Sequence, residues 1–328
     1  MQNQSLSENP MLCVAPMMAW TDRHCRYLLR LASPRARLFT EMITTGALLN
    51  GPAERLLRFH PAEHPVAVQL GGSEPEAMAA AARLSAAAGY DEININIGCP
   101  SPRVQRGAFG ACLMREPRLV AEMVSAMRAV VDVPVTVKCR LGVDEDDSQP
   151  LLEAFVRTVA SAGCSTFYVH ARKTLLNGLS PAQNRQVPPL QYDRVYALKQ
   201  RFPELRIVIN GGITEVEDAI AHLDHVDGVM IGRQAYHQPL FMNRLAHRLY
   251  GEPLTDPFAV MSEYAGYMAA ELASGTRLAD MTRHCLGLFA GQPGARQFRR
   301  LLSDHRRLAT GELSLVREAL SHIRREAA

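Results

Sequence analysis

Short apolar runs rich in β-branched residues recur along the chain, and longer stretches with helical spacing separate most of them. Eight runs predict strands, over 11–17, 38–42, 65–71, 92–98, 134–140, 166–172, 206–212 and 228–233. Strand alternating with helix is the pattern of a parallel sheet covered by helices, and eight such units predict a (β/α)8 TIM barrel. Local signals place some helix ends. Ser73 with Glu76 predicts a capping box before an alanine-rich helix that stops at Gly89, Glu116 with Pro117 opens another, and a third stops near Gly163.

After about residue 250 the strand pattern ends. Asp256 as N-cap, Pro257 in the first turn and Gly275 beyond the end delimit one helix, and three more are predicted near 279–290, 294–309 and 313–326. The expected organisation is a barrel domain over 1–250 and an all-helical domain over 251–328, joined by the stretch GEPLTDP.

Composition supports a large packed core: 47% of the 328 residues are hydrophobic and 21% are charged. One barrel takes roughly 250 residues, which leaves room for the small second domain. The start of the chain is polar without a basic region, and the apolar run 11–20 is too short to span a bilayer, so a cytoplasmic protein without membrane association is expected. Seven cysteines with no CxxC pair argue against a disulfide framework or a zinc site, and no metal is expected. A net charge of +3 says nothing by itself about nucleic acid, because such partners are recognised by local clusters of Lys and Arg.

Barrel enzymes place their chemistry at the carboxyl ends of the strands, while branched apolar residues fill the strand middles. Read in order, these ends carry Pro16 and Met17, Glu41, Gln69, then Asn94, Asn96 and Cys99, followed by Lys138 and Arg140, His170 and Arg172, Asn210 with Gly211 and Gly212, and Gly232 with Arg233. A lone polar residue at a strand end is usually a satisfied structural group, but a set in phase on eight strands marks an active site. INGGI and IGRQA end strands seven and eight, where barrels bind phosphate, and Arg233 adds a charge-assisted grip. Lys138 has two readings, a Schiff-base amine or a cation beside an electron-rich heterocycle or anion. Cys99 opens a loop with Arg103, Arg106, Gly107 and Gly110 that suggests a mobile cover, and its thiol suits either a proton donor or a nucleophile. Cys13, Cys139, Cys164 and Cys285 lie on apolar patterns and read as small core residues.

The segments APMMAWTDRHCR, QLGG, ININIGCPSPRVQRGAFGACLM, VKCRLG, HAR, INGGI and IGRQA, in this order and spacing, resemble the tRNA-dihydrouridine synthase family from about residue 12 onward. LSPAQNRQVPPLQYDRVY resembles its A subfamily. The resemblance implies an FMN- and NADPH-dependent oxidoreductase that reduces the C5=C6 bond of uridines in the tRNA D-loop, at positions 20 and 20a for the A subfamily. It implies Pro16, Met17 and Met18 against the flavin ring, Gln69, Lys138 and His170 at its polar edge or ribityl chain, and Asn210, Gly211, Gly212, Gly232 and Arg233 at its phosphate. Asn96 would lie beside the uracil and Cys99 would be the acid. The chemistry agrees: hydride from flavin N5 to uracil C6 leaves negative charge at C5 and the C4 carbonyl, so a proton donor is needed on the opposite face.

A flipped uridine also demands a surface that grips RNA. On a continuous helix over 294–309, Phe298, Leu301, Leu302, His305 and Leu308 share one face while Arg296, Arg299, Arg300, Arg306 and Arg307 fall opposite. Arg299 and Arg300 are therefore candidates for tRNA phosphate, and Asn184 and Arg185, in the insert after strand six, are further tRNA candidates. A solvated face is the alternative for the arginines, a free-pyrimidine flavin reductase or a Lys138 lyase for the whole, and a monomer is the expected state.

Overall fold

The computed structural model describes residues 10–324. All eight expected strands form: β1 (Met11–Val14), β2 (Leu38–Thr44), β3 (Val66–Gly71), β4 (Glu92–Ile97), β5 (Val135–Arg140), β6 (Thr166–His170), β7 (Arg206–Asn210) and β8 (Gly228–Ile231). They are parallel in the order β1-β8-β7-β6-β5-β4-β3-β2. The ring closes beside β1, where Val14 N–H donates to the Arg37 carbonyl at 2.9 Å and Arg37 N–H to the Leu12 carbonyl at 2.8 Å. Isoleucines and valines at alternate positions pack outward under the helices, and an inner apolar floor is built from Cys13, Ala15, Phe39, Ala67, Tyr168, Val208 and Met230.

The helix Pro117–Arg128 follows Glu116, and the helix Gln149–Ser161 ends before Gly163, which takes a φ of +97°. The expected capping box at Ser73 does not form. The alanine-rich helix runs Pro75–Ala87 with Glu74 at its N-cap and no side-chain cap bond. Proline in its first turn already lacks one of the N–H groups that a cap would satisfy.

Contacts divide the chain into two compact units, one of Met1–Met18 with Arg37–Gly232, the other of Ala19–Ala36 with Arg233–Ala328. This division differs from a boundary at 250. Within the second unit the helix Arg23–Ala32 buries Leu28 in the same apolar core as Val260, Met261, Tyr264 and Phe298. Its Arg23 makes a bidentate pair with Glu271. The expected linker 251–257 is fastened inside this unit: buried Asn243 donates to the Pro253 carbonyl at 3.2 Å and accepts from Thr255 N–H at 2.8 Å. The helix Pro257–Ala273 has its expected Asp256 cap, and Gly275 follows it with a φ of +87°.

The helix expected over 294–309 is two helices, Ala295–Leu301 and His305–Leu308. Asp304 breaks it by capping the second piece, accepting from the N–H groups of Arg306 and Arg307. The last helix spans Ser314–Ser321 and ends with His322 as its C-cap, short of the expected 326; residues 325–326 of that expectation and the polar start of the chain over 1–9 lie outside the described range.

Candidate active site

The sequence of β4, EININI, places Glu92, Asn94 and Asn96 on one face of the strand and the isoleucines on the other. That face is the barrel interior, so the strand middles are not uniformly apolar as expected. Side-chain bonds run up this column. Arg37 pairs with buried Glu92, which also accepts from Thr136 Oγ1 at 2.6 Å and Tyr168 Oη at 2.9 Å. Asn94 donates to Thr136 at 2.9 Å and accepts from Gln69 Nε2 at 2.8 Å, and Asn96 donates to Gln69 Oε1 at 2.7 Å. Gln69 N–H in turn finds Thr40 Oγ1 at 3.0 Å, next to the irregularity in β2. The network satisfies each group it buries, which is what a polar barrel interior requires.

At the top of the column Asn96 Oδ1 accepts from two backbone amides, Gly98 N–H at 3.1 Å and Cys99 N–H at 2.9 Å. The Cys99 carbonyl accepts from Ala111 N–H at 3.0 Å. Main-chain bonds therefore hold the half-buried thiol residue from both sides. Beyond it the loop contains a short helix, Pro102–Arg106, capped by Ser101. Gln105 Nε2 ties that helix to the Pro100 and Leu176 carbonyls, both at 2.8 Å. Burial pushes the thiols of Cys139, Cys164 and Cys285 up to about 12 and raises that of Cys13, so all four are inert core groups as expected. Cys25 is also buried, and Cys112 is half-buried with its thiol directed to the Phe109 carbonyl.

Cross-strand register sets Lys138 beside Asn96, and Arg140, His170 and Asn210 side by side on β5, β6 and β7. Lys138 Nζ donates to Asn210 Oδ1 at 3.2 Å, and Asn210 donates to the Met230 carbonyl at 2.7 Å. Desolvation, and then Arg140, lower the Lys138 ammonium to about 8. Burial and the charges of Arg140, Lys138, Arg172 and Arg185 hold His170 well below its ordinary value, so its imidazole is neutral at pH 7. Arg140 has a role that its place at a strand end does not reveal. Its buried guanidinium donates to Gly98 O at 2.9 Å, to Asn184 O at 3.0 Å and to Lys173 O at 3.2 Å, joining the Cys99 turn to the insert after β6. The signal is present in VKCR, where strand alternation puts Lys138 and Arg140 on one face.

Beyond β7, Gly211 and Gly212 take φ values of +116° and +73°, a left-handed turn that glycine makes without strain. At Gly232 a Cβ would meet no atom within 4 Å. Arg233 follows at the start of the helix Arg233–His237, which groups with the second unit. Met17 is half-buried against the inner floor, Pro16 is half-buried, and Met18 is 61% exposed. Cationic donors around a neutral imidazole, a glycine turn and open backbone suit an anionic ligand with an electron-rich ring.

The RNA candidates separate. Asn184 is fully buried: its Oδ1 accepts from Thr174 Oγ1 at 3.0 Å and Leu175 N–H at 2.8 Å, and its Nδ2 donates to the Leu175 carbonyl at 2.9 Å. This corrects its reading as an RNA contact, because it staples the insert and offers no exposed atom. Arg185 beside it is exposed. Arg296, Arg299 and Arg300 are exposed opposite buried Phe298, whereas Arg307 pairs with Glu318 and His305 is exposed instead of sharing the apolar face.

Fold and site together define a (β/α)8-barrel enzyme with a thiol and a cationic cluster at the strand carboxyl ends. The family model described as Dihydrouridine synthase matches residues 13–325, and the chain belongs to that family. It is 52% identical over 315 residues to a tRNA-dihydrouridine(20/20a) synthase of Vibrio cholerae, covering 95% of this chain and 96% of the relative. Proteins of the same name from Escherichia coli and Xanthomonas axonopodis pv. citri are 53% and 54% identical, over 94% of this chain and 90% and 92% of the relatives. Among solved structures, morphinone reductase aligns with a TM-score of 0.54 at 15% identity, over 77% of this chain and 93% of that one. A 2-naphthoyl-CoA reductase complex aligns with a TM-score of 0.54 at 12% identity, over 78% and 52%. These two likenesses are of fold.

Proposed function

We propose that this protein is a flavin-dependent reductase that converts uridines in the D-loop of tRNA, at positions 20 and 20a, to 5,6-dihydrouridine, with FMN as its flavin and NADPH as reductant. The observation that carries the reading is the fixed, half-buried Cys99 beside the Lys138–Arg140–His170 cluster, in a chain over half identical to tRNA-dihydrouridine(20/20a) synthases along nearly its whole length.

The residues present fit FMN. Pro16, Met17 and Met18 offer an apolar ledge for the ring, Gln69, Lys138 and His170 serve its polar edge and ribityl chain, and Asn210, Gly211, Gly212 and Gly232 take the phosphate, with Arg233 next in the chain. Gln69 has one amide N–H beyond its bond to Asn94 with which to donate to the cofactor. Bound and reduced, the flavin supplies a hydride to uracil C6. Cys99 donates its thiol proton to C5, so the C5=C6 bond gains two hydrogens, and water returns the proton to the thiolate. The cations Lys138 and Arg140 stabilise the negative charge that develops on the uracil between the two transfers. Asn96 places the donor and lies beside the base.

Exposed Arg299 and Arg300 bind tRNA phosphate, and Arg185, on the insert after β6, offers the barrel's own phosphate ligand. A reductase of free pyrimidines leaves those arginines without a role. Purified protein is expected to show visible flavin bands and to release FMN on denaturation. A folded preparation that neither contains flavin nor binds added FMN contradicts the proposal.

A further inference from the structure

Gly211 and Gly212 pack closely against neighbours from β6 and from the far end of the insert. A Cβ on Gly211 would stand 2.6 Å from the His170 ring and 3.2 Å from Leu190, and one on Gly212 would stand 2.4 Å from Leu190 and 2.9 Å from Tyr192 Oη. The turn is thus packed between β6 and the segment 190–192. One of these approaches is directional: Tyr192 Oη donates to the Gly211 carbonyl at 2.8 Å. Backbone pairing of Gln191 N–H with the Ala171 carbonyl at 2.8 Å registers that segment on the end of β6.

The Tyr192 ring is itself held. It meets the buried His222 ring edge-on, with centroids 4.4 Å apart and planes at 63°. His222 Nδ1 is bonded to Tyr196 Oη at 2.6 Å, which fixes the imidazole that orients Tyr192. A chain of side chains from Tyr196 through His222 and Tyr192 ends on one peptide carbonyl of the glycine turn. Packing alone would be served by phenylalanine; the hydroxyl adds only the bond to Gly211.

We propose that Tyr192 is a positioning residue for the flavin phosphate, its hydroxyl holding the Gly211 carbonyl so that the Gly211–Gly212 turn keeps the left-handed conformation that receives the phosphate. This rests on the reading of that turn as the phosphate site of FMN. Loss of the bond frees the peptide between two glycines, the most permissive pair of residues in a chain, and blurs the site for the phosphate. The phenylalanine ring keeps the packing of the turn, including that of Gly211 against His170, so the affinity for the ring and ribityl chain is expected to stay unchanged. Discrimination between FMN and riboflavin, which lacks only the phosphate, therefore isolates this role from a general packing role.

The full-length wild-type chain and Tyr192→Phe, stripped of flavin, are titrated with FMN and with riboflavin by flavin fluorescence. The substitution is expected to weaken FMN roughly three- to tenfold, the effect of one neutral hydrogen bond, and to leave riboflavin affinity unchanged. An unchanged FMN-to-riboflavin ratio overturns the inference, whether both affinities fall together or neither moves. Wild-type protein that binds neither compound overturns the flavin reading itself and this inference with it. Should Tyr192→Phe fold poorly, Tyr196→Phe, which frees His222 one residue further back, is expected to lower the same ratio by a smaller factor; an unchanged ratio there counts against the proposal equally.

Discussion

The Asn96 carboxamide accepts the backbone N–H of Cys99 at 2.9 Å while its own amide donates to Gln69 at 2.7 Å. The thiol residue is thereby referenced to the barrel wall through two side chains of adjacent strands. Asn96→Ala removes the acceptor of two half-buried N–H groups and the partner of Gln69. At about 1 to 3 kcal/mol for such a loss, uridine reduction in single turnover is expected to slow roughly 5- to 150-fold, while flavin reduction by NADPH keeps its rate. Equal slowing of both half-reactions would show that Asn96 serves the flavin rather than the donor.

Lys138 gives a pH dependence with a definite sign. Desolvation and Arg140 lower its ammonium to about 8, so it is charged at pH 7 and loses its charge as pH rises through 8, well before an exposed lysine would. FMN affinity is expected to fall across that interval, and Lys138→Arg, whose charge persists, is expected to flatten the fall. A wild-type affinity that is constant from pH 7 to pH 9 would separate Lys138 from the cofactor.

His24 makes the second unit acid-sensitive. It is 7% exposed, its Nδ1 is 2.7 Å from Tyr267 Oη, and burial followed by the charge of Arg23 lowers it to about 4. The unfolded chain takes up this proton near 6.5, so the contribution of neutral His24 is complete above that pH and is lost as pH falls from 6.5 towards 4. The loss is on the order of 2 to 3 kcal/mol over the interval. Thermal midpoints measured against pH should drop over this window in the wild type and drop less in His24→Gln; parallel curves would place the acid sensitivity elsewhere.

The strands were legible because β-branched runs and helical spacing are local signals, and the residues at the eight strand ends followed from their phase. The seam between units was not, because the membership of the helix Arg23–Ala32 depends on Leu28 and Arg23 meeting residues more than 200 positions later. Asn184 misled for a related reason. An asparagine next to an arginine in an insert looks like an RNA ligand until its carboxamide is seen to bond Thr174 and Leu175. The continuous helix over 294–309 fails at Asp304, whose charge is evident in the sequence but whose action as a cap is not. The alternation of Glu92, Asn94 and Asn96 on β4 is visible as a pattern, but only the register with Gln69 and Thr136 shows it to be one network.

Arg299 and Arg300 face solvent, and no ion pair joins them to a carboxylate among the described residues. Replacing both with Ala is expected to weaken tRNA binding and to reduce the slope of log affinity against log salt by about 0.7 to 0.9 for each phosphate no longer neutralised. An unchanged slope would return this face to solvent.

The most direct measurement is reduction of unmodified tRNA by the flavin-loaded protein and NADPH, read by nucleoside mass spectrometry, with free uridine and Cys99→Ala in parallel. Wild-type protein is expected to add two hydrogens to D-loop uridines of tRNA and to leave free uridine unchanged. Cys99→Ala is expected to retain flavin reduction while uridine reduction falls by about 100-fold or more. Comparable turnover of free uridine would contradict the tRNA assignment, and an undiminished Cys99→Ala would contradict the role of the thiol as the proton donor.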